Sequence, residues 1–298
     1  MIKLQELTIR DKAYFNRFLR RSSHSLAVYA FPDIYIWKAL FKIFWAEING
    51  SLCVFFEDAG GCFLYLPPLG GRKKAQAIEK AFEMMDRLND NSDVSRIENV
   101  EETELGFYQN LGYSYIQKSA DYVSAKAALV ELKGDKFKAK RGAINYFTRR
   151  YQFEYLPLTL KHRAACLKLT DLWIKQRRAK TSDSLYQALL ADNRRALEIL
   201  FREYSSLDCV GRIVKVNQEI KGFTLGYGLN EEIFCVLYEI TDLTVKGLAQ
   251  FIFREFVRQL PYSHINMMDD SGLANLQRVK LSYHPAKIIP SYIIKRKA

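Results

Sequence analysis

The chain has 298 residues, 49% apolar and 26% charged, the composition of an ordinary globular protein and a length that suits two domains of about 150 residues. Lys and Arg number 45 against 33 Asp and Glu, a formal charge of +12 that predicts attraction to anionic partners such as tRNA, acidic lipid headgroups or a phosphorylated cofactor. No window approaches ~18 consecutive apolar residues, the opening MIKLQELTIRDKAYF lacks a signal-peptide core, and five cysteines (53, 62, 166, 209, 235) form no CxxC pair, so a transmembrane helix and a disulfide framework are excluded and a cytoplasmic location is expected.

In chain order, residues 2–9 alternate as a short strand. Residues 10–20 form a basic amphipathic helix with Phe15, Phe18 and Leu19 on its apolar side. FPDIYIW (31–37) gives a turn and an aromatic segment. Strands at 43–48 and 52–57 are joined by Asn49-Gly50, a two-residue hairpin signal, and a third strand covers 62–66. Pro67-Pro68-Leu69-Gly70-Gly71 ends it and leads to a helix at 74–88, with Ile78, Phe82, Met85 and Leu88 on one face. A strand near 96–100, a helix at 102–111 ending on Gly112, and strands at 113–118 and 121–131 complete the first half.

Residues 133–151 carry Phe137, Ile144, Phe147 and Tyr151 as an apolar stripe. Seven cations (Lys133, Lys136, Lys138, Lys140, Arg141, Arg149, Arg150) stand there against Asp135 alone, which reads as a basic helix bridging two domains. The expected boundaries are 1–132, 133–151 and 152–298. The second half begins with a strand at 153–158, then helices at 161–178 and 184–205, the latter capped by Ser182 or Asp183. A hairpin of 208–216 and 220–229 turns through Asn217-Gln-Glu. Next come a nearly all-apolar strand at 233–240, a helix at 245–260 with Val245, Leu248, Ile252, Phe256 and Leu260 in one stripe, a strand at 264–268, a helix at 272–281 and a final pair near 286–296.

The second half reads strand, two helices, three strands, helix, strand, helix, two strands, and the first half repeats that order with its second helix shrunk to 33–39. This is the element order of the GNAT-type N-acyltransferase fold. The expected class is therefore α/β (α+β): two tandem GNAT-like domains, each a mixed, mostly antiparallel sheet flanked by helices. FYQNLGYSYI (107–116) resembles the late helix-to-strand passage of that fold. YLPPLGG (65–71), DYV (121–123), KAKRGAINYFTRRY (138–151), YEITDLTVKGLAQFIFREF (238–256) and VKLSYHPAKIIPSYII (279–294) resemble the C-terminal domain of lysylphosphatidylglycerol synthases and its stand-alone relatives. The resemblance implies a Fem-like tandem acyltransferase with its transfer site in the second half. The chain departs from the family pattern where Gly142 follows Arg141, where Gln277 stands in place of a common arginine, and in showing no membrane-embedded half, so lysyl transfer to phosphatidylglycerol is not implied with it.

Acyl transfer needs a nucleophile, a base for its proton and donors for the oxyanion. Glu239 and Asp242, at the end of a buried strand, are the leading carboxylates; a helix cap or an ion pair with Lys246 or Lys280 is the structural alternative. Lys280 and His284 are the other catalytic candidates, for an oxyanion or phosphate and for a proton. Thr244-Val-Lys-Gly247-Leu-Ala249 resembles the acyl-CoA pyrophosphate signature with its leading Gln/Arg lost, which fits a donor other than acetyl-CoA. Lys140, Arg141, Asn145, Thr244, Gly247, Asn266 and Tyr283 are substrate-binding candidates. The histidines show no metal-ligand spacing, and no metal is expected. Three functions are open: an aminoacyltransferase using aminoacyl-tRNA with a lipid, peptide or small amine acceptor; an acyl-CoA-dependent N-acyltransferase; or a non-catalytic module binding anions or a lipid surface by peripheral membrane contact.

Overall fold

The computed structural model describes residues 2–21, 24–89, 92–180 and 183–297. The chain divides into two compact units, Met1–Asp121 with Ile289–Ala298, and Tyr122–Ile288. The basic segment 133–151, expected as a bridge, lies within the second unit, because its apolar stripe has a core of its own to bury against.

The first unit contains β1 (Gln5–Glu6), α1 (Lys12–Leu19), α2 (Phe31–Ile36), β2 (Lys42–Ile48), β3 (Ser51–Asp58), β4 (Gly61–Leu64), β5 (Leu69–Gly70), α3 (Lys74–Leu88), β6 (Ile97–Glu101), α4 (Leu105–Asn110) and most of β7 (Tyr113–Ala125). Asn49 and Gly50 both take positive φ, as the tight β2–β3 hairpin requires. β4 and β6 run parallel and touch through Leu64 and Ile97, while the other pairs along β1-β2-β3-β4 are antiparallel. FPDIYIW, expected as a turn and aromatic segment, is helical, with Pro32 in its first turn, where the missing N–H costs nothing.

The second unit begins with α5 (Lys126–Glu131), where the alternation of 121–131 had suggested strand throughout. β7 ends at Ala125, and KAALVE, built from good helix formers, turns into a helix that packs on the core with Leu129. There follow α6 (Lys138–Arg150), β8 (Phe153–Pro157), α7 (Arg163–Arg178), α8 (Ser184–Arg202), β9 (Val210–Val216), β10 (Glu219–Gly228), β11 (Ile233–Thr241), α9 (Leu248–Gln259), β12 (His264–Asp269) and α10 (Ala274–Leu281), after which β13 (Lys287–Arg296) returns to the first unit from Ile289. Asp183 caps α8, accepting from the Leu185 and Tyr186 amides at 3.0 and 3.2 Å; Ser182 lies outside the described residues. The helix expected from residue 245 starts at Leu248, because Asp242 to Gly247 form turns. The final pair expected near 286–296 is the single strand β13, whose Ser291, Tyr292 and Ile294 pair with β6 and complete the first unit's sheet.

Within the second unit the strand order is β12-β11-β10-β9-β8, antiparallel except for β11 beside β12. α5, α6 and α9 cover one face, and α7 and α8 the other. α9 buries Leu248, Phe251, Ile252, Phe253, Phe256 and Val257, more than any neighbour could supply alone, and joins the cores under α5 and α6. All five cysteines are buried. Among the described residues, no helix is long and apolar enough to cross a membrane.

Candidate active site

The site begins with a break in a β-ladder. Leu225 of β10 faces Tyr238 of β11, but the next residue, Gly226, faces Val236, so Leu237 is an extra residue bulged out of register. Gly226 is what the bulge demands: a Cβ there would collide with the Cys235 carbonyl oxygen. Alternation along the strand is shifted by one at the bulge. Before it, Phe234 and Val236 pack on Phe253 and Phe256 of α9. After it, Tyr238 points the other way and donates to the Asn193 carbonyl of α8 at 3.1 Å. Glu239 is thereby turned onto the α9 face, at the level where α6 and α10 approach. The Thr224 hydroxyl, fully buried, donates to the Tyr238 carbonyl at 3.0 Å and holds the bulged strand.

Two lysines face Glu239 from different helices, Lys140 of α6 and Lys280 of α10. Burial is the larger influence on the carboxyl and pushes its pKa up to about 7, against the pull of both ammonium groups. The residue as a whole is half-buried. The same burial lowers Lys140 to about 8, opposed by the Glu239 charge. Lys140 stands 3.4 Å from the centre of the Tyr283 ring and donates to the Ser282 hydroxyl at 2.9 Å. Lys280 donates to the Met267 carbonyl. Tyr283 is buried against Phe253, ring centres 4.8 Å apart, and burial raises its phenol well above the usual range, with the Glu239 charge adding to that. One carboxyl poised near neutrality therefore sits among two lysines, a phenol and a hydroxyl.

Asp242 is not in this cluster. Three positions after Glu239, it lies on the α7 face. Its Oδ1 accepts from Gln176 Nε2 at 2.8 Å, the Thr244 amide at 3.0 Å and the Thr244 hydroxyl at 2.8 Å, and Lys221 lies 3.3 Å from Oδ2. Burial works to raise its pKa, but these partners outweigh it and hold the carboxylate below its ordinary range. Arg141 is also engaged elsewhere: its guanidinium donates to the carbonyls of Leu132 and of Gly134, the latter at 2.6 Å, closing the end of α5. Thr244 is exposed. Gly247 takes φ +87, and a Cβ on it would collide with the Ala143 carbonyl oxygen of α6, so the glycine serves helix packing. Asn266 is buried, and its Oδ1 accepts from the Met268 amide at 2.7 Å, shaping the turn after β12. Asn145 is exposed on α6, and His284 is exposed with its ring 5.3 Å from Phe137. Among the described residues, no group of His, Cys, Asp and Glu is placed to hold a metal ion.

Residues 19–295 match the family described as phosphatidylglycerol lysyltransferase, C-terminal. The chain belongs to this family. A conserved protein of unknown function from Bacteroides thetaiotaomicron is 27% identical, with each chain covered over 100% and a TM-score of 0.88. The L-PGS of Bacillus licheniformis is 14% identical, over 98% of this chain and 93% of that one, with a TM-score of 0.68, a likeness of fold. An uncharacterized protein of Mycoplasmoides gallisepticum is 26% identical over 188 residues, 60% of this chain and 57% of that protein, so the match spans little more than half of this curated relative. FemX, at 10% identity and a TM-score of 0.62, and a tandem GNAT protein of the clavulanic acid biosynthesis pathway, at 8% identity and a TM-score of 0.50, share the fold, a likeness of fold alone.

Of the candidates named from the sequence, the structure brings Glu239, Lys280, Tyr283 and Lys140 together and leaves Asp242, Arg141, Thr244 and Gly247 elsewhere. Ser282, Phe253 and the bulge at Leu237, none of them named from the sequence, lie there too. The signal for the bulge was the run of Gly222, Gly226 and Gly228 inside a strand, where glycine marks a bulge or a close backbone approach.

Proposed function

We propose that this chain is an aminoacyltransferase in which Glu239 is the general base. The observation that carries the reading is the Glu239 carboxyl raised to about 7 between Lys140 and Lys280 on one face of the bulged strand. A base that titrates near neutral pH can both take a proton from an incoming amine or hydroxyl and return it to a leaving oxygen. The acceptor nitrogen or oxygen attacks the donor's acyl carbon while Glu239 removes its proton. The positive charge of the two lysines favours the oxyanion that forms, and collapse breaks the donor's ester bond, the leaving oxygen taking the proton from Glu239.

An aminoacyl ester of tRNA is the donor best supported. The formal charge of +12 suits a polyanion, and Gly247 and Thr244, the residues closest to a CoA signature, are committed to packing against α6 and to the Asp242 turn. A lipid, peptide or small amine acceptor is compatible with the site. The family's name makes phosphatidylglycerol the first acceptor to try. Contact with an anionic membrane surface and a cytoplasmic setting belong to the same proposal.

The test is transfer from aminoacyl-tRNA to candidate acceptors with wild-type and Glu239→Gln protein. Removing a general base is expected to lower kcat by ~10²–10⁴-fold while donor binding persists, and binding should weaken steeply with salt. Full turnover by Glu239→Gln, or no binding and no deacylation of any aminoacyl-tRNA, overturns the proposal. Millimolar CoA thioesters serve as the competing donor; transfer from them alone would favour the acyl-CoA-dependent reading.

A further inference from the structure

Tyr146 is an aromatic side chain left in water. It lies on α6 and is 43% exposed, whereas Ile144 and Phe147 beside it are buried. Arg149 and Arg150 follow it by three and four residues, so both flank it on the helix surface, and both are exposed. A third cation comes from a different segment. Gly247 brings the turn after β11 so close to α6 that a Cβ would collide with the Ala143 carbonyl oxygen. That approach carries Lys246 to the ring, its ammonium 5.2 Å from the centre. Among the described residues, no carboxylate pairs with Arg149, Arg150 or Lys246. Gly142, one turn before the ring, has open space around it, so nothing obstructs that side. Two arginines in the last turn of α6 suit the helix dipole, but the dipole accounts neither for an exposed ring nor for a lysine supplied from another segment.

We propose that Tyr146 is a stacking platform for an unpaired base at the end of an RNA strand, with Arg149, Arg150 and Lys246 contacting the phosphates beside it. Every base has a π-face, so a ring among cations holds a single strand without reading its sequence. Tyr146 is six residues from Lys140, ~9 Å along the axis of α6, and Lys140 faces Glu239. A strand end stacked on the ring is thereby brought close to the carboxyl. An anionic bilayer would also attract the cations, but the helix positions around the ring, Gly142, Asn145, Arg149 and Arg150, offer no hydrocarbon to insert, so RNA is the better fit. The platform's use in transfer rests on the aminoacyl-tRNA reading above, whereas its affinity for RNA does not.

The experiment measures binding of two unacylated RNA hairpins to the whole chain by fluorescence anisotropy across a salt series. One hairpin is blunt, and the other carries a short single-stranded 3′ extension. The extended hairpin is expected to bind more tightly. Tyr146→Ala should weaken its binding ~5–100-fold at every salt concentration, the loss of one base–aromatic stack. Tyr146→Phe keeps the ring and should bind as the wild type does. Lys246→Ala and Arg149→Ala should each flatten the slope of log affinity against log salt by ~0.7, one phosphate contact on a single strand. Thermal melting of each variant checks that the fold is kept. Equal binding of the two hairpins, wild-type affinity in Tyr146→Ala, or a Tyr146→Phe variant as weak as the alanine one overturns the proposal. So does Tyr146-dependent binding to phosphatidylglycerol vesicles by a chain that binds neither hairpin. Transfer from aminoacyl-tRNA together with normal hairpin binding by Tyr146→Ala would remove the platform alone. Tyr146-dependent hairpin binding without transfer to any acceptor would remove the transfer reading and leave the platform standing.

Discussion

Glu239→Gln is expected to make the protein more stable at the pH where it destroys activity. A carboxyl whose pKa is higher folded than unfolded binds its proton more tightly in the folded state, so ionising it subtracts stability. For Glu239 the subtraction is negligible well below the ordinary value of 4.5, grows as pH rises to about 7, and is constant above that. A shift of this size corresponds to about 3 kcal/mol at pH 8, already net of the attraction of both lysines, and to less than about 1 kcal/mol at pH 5. Glutamine keeps the size of the protonated carboxyl and cannot ionise. The variant should therefore match the wild type near pH 4.5 and exceed it by about 2–3 kcal/mol at pH 8. The residue is partly accessible, so the upper figure is a ceiling.

The assay is urea unfolding of both proteins followed by tyrosine and tryptophan fluorescence across pH 4.5 to 8, with transfer activity measured on the same samples. The reasoning requires two curves that diverge as pH rises. A difference between the proteins that is the same at pH 5 and pH 8 would refute the raised carboxyl, whatever happens to activity. A variant less stable at pH 8 would show that Glu239 is there as an ion-pair anchor, the opposite of a base kept at the cost of stability.

Lys140→Met removes a cation that lowers the carboxyl's pKa, so the ascending limb of the pH–rate profile should move above about 7; an unmoved limb would separate the two groups. Gly247→Ala forces a Cβ into the Ala143 carbonyl at φ +87 and should cost more than ~2 kcal/mol, whereas Gly142→Ala, with open space around it in α6, should gain ~0.5–1 kcal/mol, both read by thermal melting. Asp242→Asn should lose ~1–3 kcal/mol of stability while turnover per folded molecule changes little, and, since the carboxylate's pKa is depressed, the wild type's advantage should fade as pH drops below the ordinary aspartate value; a large loss of kcat with stability intact would return Asp242 to the chemistry. Deleting Leu237 should restore the plain ladder and carry Glu239 to the α7 face, leaving a folded protein by circular dichroism with no transfer activity; an active deletion variant would show that the bulge does not aim the base.

What the sequence disclosed follows from how local each feature is. Asn49-Gly50 specifies its turn through φ, and the stripe on α9 specifies its buried face through a period of three to four, so both were legible without a structure. KAALVE was misjudged because the alternation of the strand before it runs on into six residues that satisfy either period. Asp242 and Glu239 looked equivalent because both follow the same apolar run; their separation depends on which side of Leu237 the alternation is counted from, and an inserted residue has no period to betray it. Lys140 and Glu239 are ninety-nine positions apart, and the basic segment that carries Lys140 looked like a solvated bridge because its charges outnumber its apolar residues. The apolar stripe decided the matter: Ile144 and Phe147 bury against Leu248, Phe251 and Ile252, and fixing that face fixes where the opposite edge of α6 can reach. Most of its cations are then free to stay in water, Arg141 closes α5, and Lys140, one residue before it, is carried inward to Tyr283. A helix placed by Ile144 and Phe147 thus brings one lysine of a charged run within electrostatic reach of a buried acid. Charge alone could not single it out, because the distinction is made by packing.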